Sequence, residues 1–179
     1  DKLIPRATTN LWDGLYKAQQ MFHSVEKQSS LNKRIILLTD GIPNVIPPAG
    51  HVAMLQRLRD EYGELVPTDT CGFGCALNSR ELNLIAKECN GKYTFIPDSG
   101  FVGTILVNLL ANAFTTYSPI SRLTIEMNTN NWKLEKIGGD SDEQLVAESW
   151  GYNLPNICLN YGQSRHLLFK LTPKVVDNT

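Results

Sequence analysis

Three features of the 179-residue sequence predict an α/β fold, a doubly wound, mostly parallel sheet with a small antiparallel β segment after it. The first is the apolar run Ile35-Ile36-Leu37-Leu38-Thr39, which stops abruptly at Asp40-Gly41. A continuous apolar strand is what a parallel sheet buried on both faces requires. The loops at the carboxyl edge of such a sheet are where ligands and ions bind. The second feature is an alternation of helical and strand periodicity as far as Tyr117. The third is the loss of helical periodicity after Tyr117-Ser118-Pro119. The expected division is therefore 1–117, an incomplete α/β domain, and 118–179, a β-rich, sandwich-like segment.

Each element has its own signal. Leu11, Leu15, Ala18 and Phe22 recur at helical spacing behind the cap candidates Thr8, Thr9 and Asn10. Lys33-Arg34 lead into the strand Ile35 to Thr39. Ile42-Pro43-Asn44-Val45-Ile46-Pro47-Pro48 cannot be regular helix and predicts a long surface loop. Val52, Leu55 and Leu58 predict a helix from about Ala49 to Tyr62, and Val66 to Phe73 a short strand. Asn78-Ser79 with Glu81 is an N-cap signature. Leu82, Ile85, Ala86 and Cys89 then line one helical face, and Gly91 reads as the stop. Lys92 to Ile96 predicts another strand, and Pro97-Asp98-Ser99-Gly100 caps an apolar helix from about Phe101 to Thr116. Strands alternating with helices argue for a parallel sheet covered on both faces. Beyond Pro119, the segments Arg122 to Met127, Trp132 to Ile137, Gln144 to Glu148 and His166 to Leu171 alternate as antiparallel strands do, with a turn at Gly138-Gly139-Asp140-Ser141-Asp142. About 60 residues make a marginal core on their own.

Composition narrows the function classes. Hydrophobic content of 42% and charged content of 20% are those of an ordinary globular protein. A net charge of −1 gives no electrostatic case for nucleic acid or an anionic membrane surface. The longest apolar run, Ile105 to Ala113, is interrupted by Asn108 and Asn112, so no membrane span is expected. The opening residues lack the basic and apolar order of a signal peptide. No Asn stands in an Asn-x-Ser/Thr acceptor, which leans towards the cytoplasm. Cys71 and Cys75 could suggest a metal clasp, but no second pair or His follows to complete it. Cys71, Cys75, Cys89 and Cys158 are better read as small hydrophobes than as a disulfide scaffold. His23, His51 and His166 are scattered and read as surface or satisfied residues.

The phrases Thr9-Asn10-Leu11-Trp12-Asp13-Gly14-Leu15, Leu37-Leu38-Thr39-Asp40-Gly41-Ile42-Pro43-Asn44 and Gly72-Phe73-Gly74 together resemble a von Willebrand factor A domain. So do Leu84-Ile85-Ala86 with Gly91-Lys92-Tyr93, and the last helix with Asp98 before it. The resemblance covers roughly residues 3 to 117. It implies a protein-interaction domain with a metal-ion-dependent adhesion site: a divalent cation, Mg²⁺ or else Mn²⁺ or Ca²⁺, at the carboxyl edge of the sheet. Carried over residue by residue, Thr9 would supply a hydroxyl ligand and Asp40 an acidic one, directly or through a water, with Gly41 turning the backbone beside the ion. The partner would be a protein, meeting the ion through an acidic side chain, with Thr9, Asn10, Asp40, Gly41, Pro43 and Asn44 as the contact residues.

The family's Asp-x-Ser-x-Ser loop is absent from this sequence. Thr9 and Asp40 alone would hold Mg²⁺ weakly, since that ion keeps its waters readily. A sheet without that loop's strand would leave backbone unpaired along Ile35 to Thr39. The expectation is a fragment, or a chain whose missing half is supplied by an N-terminal segment or another chain. Simpler readings stand beside it. Thr8, Thr9 or Asn10 can be helix caps, Asp40 a turn residue, and Asp13 a carboxylate placed for the helix dipole. A structural module with a dead metal site is the alternative function. A hydrolase using Asp40 is weaker, because no second acid–base group, Gly-x-Ser-x-Gly or phosphate loop accompanies it; the chain is expected not to be an enzyme.

Overall fold

The computed structural model describes residues 8–24, 32–139 and 144–174. The turn expected at Asp140, Ser141 and Asp142 lies outside them. The chain divides into two compact units, Asp1–Ala113 and Phe114–Thr179.

In the first unit, helix α1 (Leu11–Ser24) precedes strand β1 (Ile35–Thr39), α2 (His51–Tyr62), β2 (Thr68–Phe73), α3 (Ser79–Glu88), β3 (Tyr93–Ile96) and α4 (Ser99–Thr115). The strands form a parallel sheet in the order β1-β2-β3. This is the expected alternation, with boundaries displaced by a residue or two. One displacement has a clear cause. Val66 was expected to open β2, but its N–H donates to Gln19 Oε1 and its carbonyl accepts from Gln19 Nε2, both at 2.9 Å. With its backbone groups satisfied by a buried side chain, Val66 has none left for the ladder.

Leu15 of α1, Leu55 and Leu58 of α2, Leu65, and Ile85 and Cys89 at α3 make one core. Cys71 and Ile96 of the sheet pack with Leu109 of α4, and Ile36, Val102, Ile105 and Leu106 close around them. At the amino end of the sheet, Asp69 of β2 is 2% exposed. Its carboxylate accepts from Arg34 Nε at 2.6 Å and Nη2 at 2.8 Å, and from the backbone N–H of Lys92 at 2.8 Å.

Helix α3 starts as the sequence predicts, with Asn78 Oδ1 accepting from the Glu81 N–H at 3.1 Å. Its end differs. The left-handed residue is Asn90 (φ 53°), not Gly91. The Gly91 N–H reaches back to Ala86 O at 2.8 Å and the Asn90 N–H to Lys87 O at 3.1 Å, the double bond of a Schellman cap. Gly91 is required for a separate reason, because a Cβ there would lie 1.9 Å from the Thr68 carbonyl oxygen.

His51 lies in the core rather than on the surface, and only one of its ring nitrogens is paired, since the buried Nε2 has no partner among the described residues. It is 1% exposed, and its Nδ1 lies 2.7 Å from Glu81 Oε1. Among the described residues all four cysteines are free. Cys71 and Cys89 are buried, as expected of small hydrophobes, whereas Cys75 is exposed. Burial pushes the Cys71 thiol up to about 11, with the Asp69 charge adding to it, and the Cys89 thiol up to about 12.

The second unit contains β4 (Thr116–Glu126), β5 (Trp132–Gly139), β6 (Val146–Glu148), β7 (Gly151–Asn160) and β8 (Leu167–Pro173). They form an antiparallel sheet β4-β7-β6 and a pair β5-β8. The antiparallel character is as expected, but β7, the central strand of the larger sheet, was not. Its Pro155 and its asparagines break the alternation that marks a strand. The structure places Pro155 within a register shift, between the pairs Leu123↔Leu154 and Ser121↔Ile157, where its missing N–H costs no ladder bond. Leu154 is fully buried, and the Leu134 N–H donates to the Tyr152 hydroxyl at 3.1 Å, tying the two sheets.

Two outcomes test this account. Asp69→Ala should destabilise the chain by about 3 kcal/mol, because it leaves the Arg34 charge and the Lys92 N–H without their partner; urea unfolding measures it, and a change below about 1 kcal/mol would contradict it. At pH 8, iodoacetamide should label Cys75 while sparing Cys71 and Cys89, and denaturation should expose both. Since these two buried thiols hold their protons above the ordinary value of 9.0, the stability they contribute is complete below pH 9 and declines as pH rises towards 11 and 12.

Candidate functional site

Parallel strands bring their carboxyl ends to one edge. Here that edge carries the segments after Thr39, Phe73 and Ile96. Asp40 follows β1 directly and is exposed. Among the described residues its carboxylate has no hydrogen-bond or ion-pair partner. The turn after it is shaped by Thr39, whose hydroxyl donates to Gly41 O at 3.1 Å and accepts from Gly41 N at 3.4 Å. Gly41 has no positive φ, and a Cβ there would meet open space, so the expected need for glycine at this turn is not what holds it.

Thr9 is brought to the same loop by Asn44. The Thr9 N–H donates to Asn44 Oδ1 at 2.8 Å. In return the N–H groups of Asn44 and Val45 donate to the Thr9 carbonyl at 3.2 and 3.3 Å. These bonds use the backbone of Thr9 and leave its hydroxyl out. Thirty-five positions of sequence are thus closed by one asparagine. Asn10 is the N-cap of α1, accepting from the Asp13 N–H at 3.0 Å. Asp13 itself pairs with Lys17 at 2.8 Å. Pro43 is buried, while Ile42, Val45 and Ile46 of the same loop are exposed.

The structure therefore gathers Thr9, Asn10, Asp40, Gly41, Pro43 and Asn44 into one pair of joined loops, with different tasks. Asn44 is the tie and Asn10 a cap; Asp40 is a charge without a partner among the described residues. The tie was not legible beforehand, because a side-chain bond to a distant backbone leaves no spacing signal. The surface course of the loop was legible from its prolines, whereas the exposure of Ile42, Val45 and Ile46 was not read there. Among the described residues no three His, Cys, Asp or Glu side chains come together as a metal site would need. No helix of the described residues is long and apolar enough to cross a membrane.

A three-stranded parallel sheet with helices, an acidic residue at its carboxyl edge and a threonine turn tied beside it define an α/β domain of the doubly wound class. The chain is similar to a solved von Willebrand factor type A structure from Catenulispora acidiphila, with 18% identity and a TM-score of 0.62, over 89% of this chain and 38% of that one. The fold is thus the von Willebrand factor A fold that the sequence phrases implied. A second similar structure, the ArnB paralogue VWA2 from Sulfolobus acidocaldarius, has 17% identity and a TM-score of 0.45 over 97% of this chain and 48% of that one. The chain thus spans less than half the length of either structure. No protein-family profile matches it, and no curated protein does.

The tie between the loops is open to test. Asn44→Ala should free the Thr9 amide and raise its hydrogen-exchange rate by about tenfold, as loss of one hydrogen bond of about 1.4 kcal/mol would. An unchanged rate would show that the loops are held by other means.

Proposed function

We propose that this chain belongs to a protein-interaction module whose contact surface is the carboxyl edge of the parallel sheet, at Thr9, Asn10, Asp40, Gly41, Pro43 and Asn44. The observation that carries the reading is the Asn44 tie, which joins the threonine turn to the loop opening at Asp40, an exposed carboxylate without a partner among the described residues. The likeness in fold to a von Willebrand factor type A structure supports it.

In the intact protein a divalent cation, Mg²⁺ foremost and otherwise Mn²⁺ or Ca²⁺, joins this surface and accepts an acidic side chain of the partner. The residues present fit a hard cation in kind, since a hydroxyl and a carboxylate are oxygen donors. They fall short in number, two where Mg²⁺ takes about six. The missing oxygens belong to an N-terminal segment or another chain, which would also pair with β1, an edge strand among the described residues. The reading is of a binding module rather than an enzyme, because the sequence offers no Gly-x-Ser-x-Gly or phosphate loop to accompany Asp40. A structural module with a dead site is the second reading, favoured by the lack of a three-residue metal cluster among the described residues.

Calorimetric titration of the chain with Mg²⁺ separates these readings. Binding should be millimolar or weaker, and Asp40→Ala should abolish it while changing unfolding stability by no more than about 0.5 kcal/mol, as for any exposed side chain without partners. A micromolar isotherm would show that other residues complete the site. Equal heats from wild type and variant would leave the structural module as the function.

A further inference from the structure

The loop after Asp40 turns apolar side chains outward. Ile42 is 59%, Val45 38% and Ile46 55% exposed. A single exposed isoleucine is ordinary, whereas three apolar groups within five positions form a patch. The loop that carries them is braced. Pro43, Pro47 and Pro48 restrict its backbone, Thr9 holds it through Asn44 and Val45, and the Gly50 N–H closes on the Pro47 carbonyl at 2.8 Å. Apolar groups on a braced loop can be covered with little loss of loop entropy.

Charge is sorted along the sheet. Lys33, Arg34 and Lys92 precede β1 and β3 at the amino end, and Arg34 is already bonded to Asp69. Asp40 and Asp98 follow the same two strands at the carboxyl end. Asp98 Oδ1 accepts from the Gly100 N–H at 2.7 Å, so among the described residues Asp40 is the one of the two left uncommitted, on the loop that carries the exposed apolar groups.

We propose that Ile42, Val45 and Ile46, with Asp40 beside them, form a docking surface for a protein segment that is apolar and carries a lysine or arginine. The apolar side chains of the segment cover the loop, and its cationic group meets Asp40 directly. An exposed ion pair adds little affinity alone; here the covered loop supplies the affinity and the charge selects the partner. The proposal rests on the carboxyl edge being a protein-contact surface and concerns that edge in its cation-free state, where Asp40 faces the partner directly and selects the opposite charge from a cation-bridged contact.

The test is fluorescence anisotropy of the 179-residue chain with three labelled nonapeptides of alternating leucine and serine, differing only in a central Lys, Gln or Glu, in low salt with EDTA. The Lys peptide should bind at least about fivefold more tightly than the Glu peptide. Ile42→Ser combined with Ile46→Ser should weaken the Lys and Gln peptides about tenfold. Asp40→Asn should remove the preference for Lys over Glu and leave the Gln peptide unchanged. Circular dichroism confirms that these exposed substitutions leave the fold intact. Equal binding of the three peptides, no binding of any, or a Lys preference that survives Asp40→Asn would each overturn the proposal. A Glu peptide that binds only when Mg²⁺ replaces EDTA, with no Lys binding, would overturn it while upholding the cation-dependent contact.

Discussion

The fold of the first unit depends on one buried carboxylate. Asp69 sits in the middle strand, almost without solvent, and holds the strand on either side of it. Arg34 reaches it from the residue before β1, and the Lys92 amide from the residue before β3. A charge taken out of water is costly unless its lone pairs are filled. Three donors meet it, two from the Arg34 guanidinium and one from the Lys92 amide, and both residues stand just before a neighbouring strand. The same requirement that makes the burial tolerable therefore fixes the positions of three strands at their amino ends. Ion pairs on the surface could not do this, since solvent would let the partners exchange.

The two ends of the sheet consequently differ in kind. The amino end is saturated, with its charge neutralised and its donors assigned. At the carboxyl end, backbone groups are satisfied by Thr39 and Asn44, while the Asp40 side chain is left over. That division suits a binding surface, which needs a rigid frame and free functional groups on it. Asn44 matters here because it makes two distant loops a single unit, so that neither can be displaced without the other.

Much of this was legible in the sequence. The strand Ile35 to Thr39, the asparagine cap of α3 and the helical stripe of Leu82, Ile85 and Ala86 are local patterns, and the chain folds them as read. The readings that failed involve distance. Gln19 satisfies Val66 from 47 positions away and shortens β2. His51 is drawn into the core by Glu81 on a later helix. Strand β7 is disguised by Pro155, which is tolerated only because the facing strand shifts register there. At the site, Thr9 and Asp40 were legible as residue types, but the bonds that join the Thr9 turn to the loop after Asp40 were not. Side-chain bonds between distant segments carry no periodicity, and sequence patterns record periodicity above all.

Gly91 shows how a fold outlasts its sequence. A methyl group there would collide with the Thr68 carbonyl and pry the chain away just before Lys92, whose amide Asp69 requires. Drift at that position is blocked by backbone, which no neighbouring substitution can reshape. The exposed side chains of Ile42, Val45 and Ile46 meet no such backbone barrier. When the immovable positions are so few and so scattered, almost everything between them is replaceable. A fold held by such positions can be shared at 18% identity.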